Sequence, residues 1–433
     1  MRLLYILPYL PWDNWVSIRP GGAHSLELDS PNTVKKRKLA KSERFLDSIL
    51  AEVPNMSLPT RPDRSTTPYI FGKLPFAIDW EINRLAHATD RKPDDFGDVM
   101  PELEANSASP KQIWEVLKSQ LTRLRRPFIS LNDDEPPPVA AAPRMPSPSS
   151  DNAWDILQKK GWHSGQVHLK MTLKCSKGIV TLFPEPMQSA VSKRAFRRFG
   201  GDRFITISIP RGDVEYSKTN LQEFLLKPFS ICGRFYRVFS VRKTSTESFT
   251  AHCFATDGAG LAGRELGLSQ LYDWEICLWK NGESTAAKLW SRISLSLSST
   301  IPTLVFTPEQ IRLVPDVKSA ANECMTDGCA KASPEVFRRI WKSGVLALKQ
   351  TPSAIQGRIG GAKGVWYMDP DTDPLSDEIW VEIRESQLKY KYDSKTFQDP
   401  HLRTLVITDR VCTHIRMCAR PLRRKQDKQS TIS

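Results

Sequence analysis

The chain has 433 residues, 40% of them hydrophobic, and its 62 Lys and Arg against 48 Asp and Glu give a net charge of +14. This length and apolar content suffice for a buried core over several domains, which excludes a wholly disordered chain. The basic surplus favours a polyanionic partner, because each phosphate that a cation neutralises releases condensed counterions. No apolar run reaches the ~20 residues of a membrane span, and the cysteines form no CxxC pair, so the sequence favours a reduced, intracellular protein outside membranes.

Residues 1–131 are predicted to be a variable, locally helical region. The pair Ser109-Pro110 is typical of a helix start, and a second helix is predicted over residues 74–85. The apolar face of the first of these helices would consist of Ile113, Trp114, Leu117, Leu121 and Leu124. The positive charges of Arg125-Arg126 at the end of that helix would interact favourably with the negative end of its dipole. The basic run Lys35–Lys38 fits a nuclear-import signal or an ordinary solvated terminus, and both interpretations remain open.

Residues 132–153 are predicted to be a proline-rich linker, because six prolines and almost no large apolar side chain cannot offset chain entropy. From Trp154 onward the pattern changes to short alternating strands. These predicted strands are FITISIP, FYRVFSV, FTAHCF and EIWVEIR. A helix is predicted over Ser333–Ser343, with Ser333 as its cap and Gly344 as its stop. Its buried face would hold Val336, Phe337, Ile340 and Trp341.

The most informative stretch is QGRIGGAKG at Gln356–Gly364, followed by QLKYK at Gln387–Lys391. Both are predicted to lie on strands. The glycines would let the backbone approach a polyanion, with Arg358 and Lys363 as fixed cations beside it. The pattern is not a Walker A loop, because Lys363 is followed by glycine and not by Ser or Thr. Taken alone, a basic glycine-rich loop also fits a surface hairpin.

Four sequence blocks follow Leu304 in a fixed order: LVFTPEQIRLVPDV, MTDGCAKASPEVFRRIW, TPSAIQGRIGGAKGVWYMDP and EIWVEIRESQLKYKY. This order closely resembles the eukaryotic cellular RNA-dependent RNA polymerases of gene silencing, the fungal type in particular. FRRFGGDRF, ICGRFYR and SLSSTIP extend the resemblance upstream, so that it covers roughly residues 155–405. It implies an α+β fold in which a β-rich slab at 154–300 leads into a first double-psi β-barrel at 301–408, after a helical and partly disordered N-terminal region.

The resemblance also implies a function: nucleotidyl transfer that copies single-stranded RNA into double-stranded RNA for small-RNA gene silencing. The substrates would be a single-stranded RNA template and NTPs, and the cofactor would be Mg²⁺. The silencing machinery would supply the protein partners. The protein would be located in the nucleus or the cytoplasm. By motif position, Arg358, Lys363 and Lys389 would contact phosphates during catalysis, and Asp327 and Gly328 would form a turn. Candidate RNA-binding residues are Arg194, Arg197, Arg198 and Lys391. A solvated basic face remains an alternative for the first three.

The sequence departs from the family pattern in its acidic residues and at one turn. It contains no Asp-x-Asp-Gly-Asp metal loop. The three aspartates of Asp369–Asp373 alternate with other residues, but flanking prolines and the missing EF-hand glycine and glutamate favour a solvated acidic turn, so no metal ligand is predicted. Ala330 replaces a family glycine after Thr326-Asp-Gly-Cys; if that position needs a positive φ, alanine costs about 1 kcal/mol.

The C-terminal residues 409–433 form a basic tail without apolar periodicity, and the resemblance ends near Thr408. A frameshift, a missed splice or an early stop is the hypothesis for this change. Three interpretations therefore stay open: an RNA-directed RNA polymerase represented by its N-terminal portion, a non-catalytic RNA-binding protein with the basic barrel alone, and a protein-interaction scaffold.

Overall fold

The computed structural model describes residues 70–88, 92–123, 150–157, 166–176, 179–210, 221, 224–243, 248–284, 286–346, 348 and 350–408. These residues form two compact units. Unit 1 comprises the described residues up to Thr300 and the segment Tyr390–Phe397, and unit 2 comprises Ile301–Lys389 and the described residues from Gln398 onward. The basic run at 35–38, the pair Arg125-Arg126, most of the predicted linker and the tail at 409–433 lie outside the described residues.

The helices of unit 1 are α1 (Phe76–Ala88), α2 (Met100–Ala105), α3 (Pro110–Arg123), α4 (Ser150–Leu157), α5 (Arg194–Phe199), α6 (Leu268–Ile276), α7 (Leu278–Asn281) and α8 (Ala286–Ser296). A 3-10 turn at Pro93–Val99 precedes α2, and another at Gly201–Arg203 follows α5. The two helices predicted from sequence are confirmed as α1 and α3. Helix α4 begins inside the predicted linker, at Ser150, because its Trp154 is buried and stacks on Trp114 with ring centroids 5.5 Å apart. In the described ranges, no helix is long and apolar enough to cross a membrane.

The sheet of unit 1 contains β1 (Val167–Ser176), β2 (Ile179–Pro184), β3 (Gln188–Ser189), β4 (Phe204–Pro210), β5 (Phe229–Ile231), β6 (Arg234–Lys243) and β7 (Ser248–Gly258). Its order is β2-β1-β4-β7-β6-β5, with β3 also paired to β1 and with β1 parallel to β4. The predicted alternation of Ile205, Ile207 and Ile209 is confirmed, since all three are buried. Helices α1, α3 and α4 share one hydrophobic core with this sheet. The N-terminal helices therefore complete the core of the β-rich region.

Unit 2 is built on β8 (Thr300–Val305), β9 (Ile311–Val314), β10 (Cys329–Ala332), β11 (Ala354–Ile359), β12 (Ala362–Met368), β13 (Val381–Arg384) and β14 (Thr404–Thr408), with helices α9 (Pro334–Lys342) and α10 (Pro400–Arg403). The strand order is β8-β14-β11-β12-β10-β13-β9. The sheet is mixed, because β10 is parallel to β12 and β13 to β9, whereas β11 is antiparallel to β12. Mixed sheets with helices packed against them confirm the predicted α+β class.

Helix α9 begins and ends where the sequence predicts, and Val336, Phe337 and Ile340 are buried. Its cap differs from the prediction, because the Ser333 hydroxyl accepts a hydrogen bond from the Trp380 amide at 3.2 Å instead of capping the helix. Trp341 was expected in the core but is 38% exposed. The stop is confirmed, since Gly344 has φ +68°.

The predicted strand at Gln387–Lys391 is wrong. Strand β13 ends at Arg384 and a 3-10 turn over Glu385–Gln387 follows, because the buried Gln387 side chain accepts the Arg384 amide at 3.0 Å. Leu388 forms only an isolated bridge with Ala362. Lys389 and Lys391 therefore do not lie on one strand, and the chain leaves unit 2 between these two lysines.

Candidate functional site

A tight hairpin places two of the predicted cations side by side. Strands β11 and β12 pair with Ile359 opposite Ala362, which leaves Gly360-Gly361 as a two-residue loop. In the same register Arg358 is directly opposite Lys363. Directly opposite residues of an antiparallel pair share one face, with Cβ atoms about 5 Å apart. The register therefore places these two cationic residues side by side on one face of the hairpin.

The two cations lie on the face of the hairpin that points away from the core. Ile355 and Ile359 are buried on the other face, whereas Lys363 is exposed and Arg358 is half-buried. Like charges directly opposite each other destabilise a sheet. Among the described residues, Lys363 has no ion pair or side-chain hydrogen bond that would compensate for this repulsion. An anion bound between the two cations would compensate for the repulsion.

Lys389, the third predicted cation, is anchored beside the hairpin loop. Its amide donates to the Gly361 carbonyl at 2.9 Å. Its half-buried ammonium group donates to the Ser386 carbonyl at 2.7 Å. The backbone of Lys389 is thus held next to the loop that joins β11 to β12, with its charge directed at its own turn.

The predicted turn at Asp327 and Gly328 is present. Gly328 has φ +68°, and the Cys329 amide donates to the Thr326 carbonyl at 2.9 Å. Asp327 is exposed at the tip. The expected cost of Ala330 does not arise, because this residue lies on β10, is buried, and does not have a positive φ. The requirement for glycine falls on Gly328.

Asp316 organises this turn, and sequence reasoning missed it. Its carboxylate accepts the Ser386 hydroxyl at 2.7 Å, the Ser386 amide at 2.8 Å and the Thr326 hydroxyl at 2.9 Å. Ser386 in turn accepts the Gly328 amide at 3.0 Å. One carboxylate thereby connects the turn to the segment that carries Lys389. The only sequence signal was its position, directly after Pro315 in the first family block.

The charge of Asp316 makes this network sensitive to acid. Burial acts to raise the pKa of Asp316, but hydrogen bonds from Ser386 and Thr326 outweigh it and lower the pKa below the ordinary 3.8. The stabilising effect of the carboxylate is therefore fully present above pH 3.8 and is lost as the pH falls through the lower, folded-state value.

We expect Asp316→Asn to lower the free energy of unfolding by about 1 kcal/mol at neutral pH, since a charged acceptor of several hydrogen bonds is removed. The difference from the unmodified chain should shrink as the pH falls below 3.8. Urea unfolding over a pH series measures it. A difference that stayed constant into the acid range would show that the Asp316 charge does not stabilise the turn.

Gly357 and Gly364 of the hairpin are required because neighbouring backbone leaves no room for a side chain. A Cβ on Gly364 would lie 2.2 Å from the Gly328 carbonyl oxygen, and one on Gly357 would lie 2.7 Å from that of Val406. The expectation that these glycines admit a polyanion is wrong for both positions, because the neighbouring backbone already fills the space.

Two of the predicted RNA-binding arginines in unit 1 have structural partners. Arg194 is buried; its guanidinium donates to the Tyr390 hydroxyl at 2.8 Å and lies 5.6 Å from the ring centroid of Trp274. Arg197 donates to the Ser192 hydroxyl at 2.6 Å and to the Thr300 carbonyl at 2.8 Å. The prediction of RNA binding is therefore corrected for Arg194, whose charge is inside the protein.

The other two predicted RNA-binding residues are at the surface of unit 1. Arg198 is exposed, with its guanidinium 5.2 Å from the ring centroid of Phe199. Lys391 is exposed as well. Phe196 of the same helix, by contrast, is buried and stacks on Phe204 in the core.

Paired substitutions separate the structural role of Arg194 from the surface position of Arg198. We expect Arg194→Met to lower the free energy of unfolding by about 2 kcal/mol, because Tyr390 is deprived of a charged hydrogen-bond donor in the interior. Arg198→Met should change it by less than about 0.5 kcal/mol. Urea denaturation followed by tryptophan fluorescence compares the two. Equal stabilities would contradict the structural assignment of Arg194.

Two of the three aspartates at 369–373 form ion pairs within unit 2. The Lys331 ammonium group contacts Asp369 at 2.8 Å and Asp371 at 2.9 Å, and these hydrogen bonds raise the pKa of Lys331. Asp369 is buried and Asp371 is exposed, so the predicted solvated turn is solvated in part. Within the described ranges, no group of three or more His, Cys, Asp or Glu is placed to hold a metal ion. The residues that the structure describes therefore do not fit a Mg²⁺ site.

Comparisons with known proteins agree with the motif blocks. Residues 179–414 match the family model for RNA dependent RNA polymerase. Probable RNA-dependent RNA polymerase 1 of Oryza sativa subsp. japonica is 31% identical over 228 residues, which is 48% of this chain and 29% of that protein. RNA-dependent RNA polymerase 1 of Arabidopsis thaliana is 31% identical over 111 residues, 25% of this chain and 10% of that protein.

A solved structure is similar in fold as well. The RNA dependent RNA polymerase QDE-1 from Thielavia terrestris superposes with a TM-score of 0.62 and 29% identity, over 80% of this chain and 37% of that one. The chain thus spans less than a third of the length of the curated relatives it matches. Because the family match covers more than half of the 433 residues, the chain belongs to the eukaryotic RNA-dependent RNA polymerase family, as its motif blocks predicted.

Proposed function

We propose that this chain supplies phosphate contacts to an RNA-directed RNA polymerase that copies single-stranded RNA into double-stranded RNA. The observation that carries this proposal is the direct cross-strand pairing of Arg358 with Lys363 on the exposed face of a hairpin. In this reaction a 3′-hydroxyl forms a bond to the α-phosphorus of an NTP and pyrophosphate leaves. Fixed cations stabilise the charge that develops on the phosphoryl oxygens, since they need no reorganisation during the step.

Each cation has a distinct part in this proposal. Arg358 offers a planar fork suited to two phosphate oxygens, whereas Lys363 acts as a point charge at the same place. Lys389 reaches a phosphate by exchanging its hydrogen bond to Ser386 for one to the ligand. Asp316 is a positioning residue, because it fixes Ser386 and the turn at Gly328.

The finer features of the family belong to the same proposal. We propose that the mixed sheet of unit 2 is the first double-psi β-barrel and that Arg198 and Lys391 contact the RNA template. Duplex products would enter small-RNA silencing, in the nucleus or the cytoplasm. The family resemblance implies Mg²⁺, which would supply charge stabilisation to the reacting phosphate. Since the described residues do not fit that ion, only the phosphate contacts are assigned to them.

A second candidate is an RNA-binding protein without polymerase activity. Two observations favour it: the sequence has no Asp-x-Asp-Gly-Asp, and Lys331 occupies the carboxylates of Asp369 and Asp371. The basic hairpin would then hold RNA phosphates without a reaction following.

One experiment compares the two candidates. The purified 433-residue chain is incubated with single-stranded RNA, NTPs and Mg²⁺, and RNA binding and RNA synthesis are both measured. Template-dependent product establishes the polymerase. Salt-sensitive binding without product establishes the second candidate. A chain without RNA affinity at moderate salt would refute both and leave the protein-interaction scaffold.

A further inference from the structure

The short helix α7 of unit 1 presents an indole ring to solvent. Trp279 is 67% exposed, more than any other large hydrophobic residue in the described part of this unit, where Ile70 follows at 57%. The remaining members of that exposed set are Val191 and Leu226, so Trp279 is its one aromatic residue. A single exposed apolar side chain needs no explanation by itself. Its setting does.

The backbone around Trp279 is fixed by side-chain hydrogen bonds. Helix α7 starts after Cys277, which has φ +45°. The side-chain amide group of Asn281 donates to the backbone carbonyls of Ile276 at 2.8 Å and Cys277 at 3.1 Å. The same side chain brackets Lys391, donating to its carbonyl at 2.8 Å and accepting its amide at 3.0 Å. The ring is therefore presented from a rigid base whose position relative to Lys391 is set.

Two exposed cations belong to the same short stretch of structure as the ring. The Lys280 ammonium group lies 5.5 Å from the Trp279 ring centroid and donates to the Tyr392 carbonyl at 3.1 Å. Lys391 is exposed on the segment that Asn281 holds. The nearby carboxylate of Asp393 is engaged by Thr396 at 2.7 and 2.8 Å and by the Cys277 thiol at 3.3 Å. An aromatic face with cations held on the same and the adjoining segment matches a chain of alternating bases and phosphates.

We propose that Trp279, Lys280 and Lys391 form a binding site for one unpaired nucleotide of single-stranded RNA. The base stacks on the indole, and the lysines contact the phosphates on either side. No base-edge hydrogen bond is involved, so the site accepts every base and discriminates only between single strands and duplexes, whose base faces are covered. This inference rests on the proposed RNA-binding function and adds to it a site that is independent of the Arg358 and Lys363 hairpin.

The test uses the full 433-residue chain, a short single-stranded oligonucleotide and an abasic ribose-phosphate strand of the same length. We expect Trp279→Leu to weaken binding of the oligonucleotide roughly tenfold, with an unchanged salt slope, and to leave the abasic strand unaffected. Trp279→Phe should retain part of the affinity. Lys280→Ala and Lys391→Ala should each reduce the salt slope by about 0.7. Lys174→Ala is the matched control, because its ammonium group also lies over a ring, 5.3 Å from Phe183, away from α7.

Several outcomes would overturn the proposal. An unmodified chain that binds no RNA refutes the proposed function and this site with it. A chain that binds RNA with salt dependence while Trp279→Leu binds equally well refutes the stacking site alone. Equal weakening for the oligonucleotide and the abasic strand would exclude stacking. A Trp279→Leu variant that keeps its RNA affinity but no longer self-associates in sedimentation would identify the surface as an interface between copies.

Discussion

Replacing both Arg358 and Lys363 by alanine is expected to make RNA binding less dependent on salt. The slope of log K against log salt should decrease in magnitude by roughly 1.4, because each single-strand phosphate that is no longer neutralised removes about 0.7 from it. Binding should weaken to a similar extent for all sequences, since cations that bind phosphates read no base. The physical reason is the register of the hairpin, which places the two charges opposite each other. Titration of labelled single-stranded RNA at several salt concentrations measures the effect.

Two control variants sharpen this experiment. Lys342→Ala removes an exposed cation from the last turn of α9 in the same unit, and it should change the slope less than either hairpin substitution. The exchange Arg358→Lys with Lys363→Arg keeps both charges and should keep the slope, although the geometry of phosphate binding differs. If the double alanine variant kept the original slope while remaining folded, the hairpin would not be the phosphate site.

Gly364→Ala is expected to lower the free energy of unfolding of unit 2 by about 3 kcal/mol. The added methyl carbon would lie 2.2 Å from the Gly328 carbonyl oxygen. That oxygen cannot easily retreat, because it accepts the Val365 amide at 2.9 Å. Strand β12 and the turn before β10 would have to separate, and the Asp316 network would be strained with them. Hydrogen exchange of peptides from β10 and β12 reports this local decrease in stability.

The matched control for this prediction is Gly97→Ala. A Cβ at Gly97 meets nothing within 4 Å, and this glycine does not have a positive φ. The same chemical change there should alter stability by no more than about 1 kcal/mol. If the amides of β12 were as well protected from hydrogen exchange in Gly364→Ala as in the unmodified chain, the close approach of the turn to the strand would not be a constraint in solution.

The sequence predicted elements best where the signal was local. The alternation of Ile205, Ile207 and Ile209 and the start and stop of α9 are properties of a few consecutive residues, and the structure confirms them. The prediction for Gln387–Lys391 failed because Gln387 forms a side-chain turn where the residue pattern favoured a strand. Trp341 was placed in the core by its spacing, but spacing defines a helix face without showing how far the neighbouring sheet extends over it.

Residue order alone determined the family blocks, the α+β class and the two cations of the β11–β12 hairpin, because these depend on residue types at short, fixed spacings. Tertiary structure decided which charges are available to a ligand. It buried Arg194 beside a tyrosine 196 residues away and committed Lys331 to an aspartate 40 residues away. It also gave Asp316 its role through Ser386, 70 positions later. Burial and hydrogen bonding are set by neighbours in space, which strand order and register bring together, and local sequence spacing does not encode them.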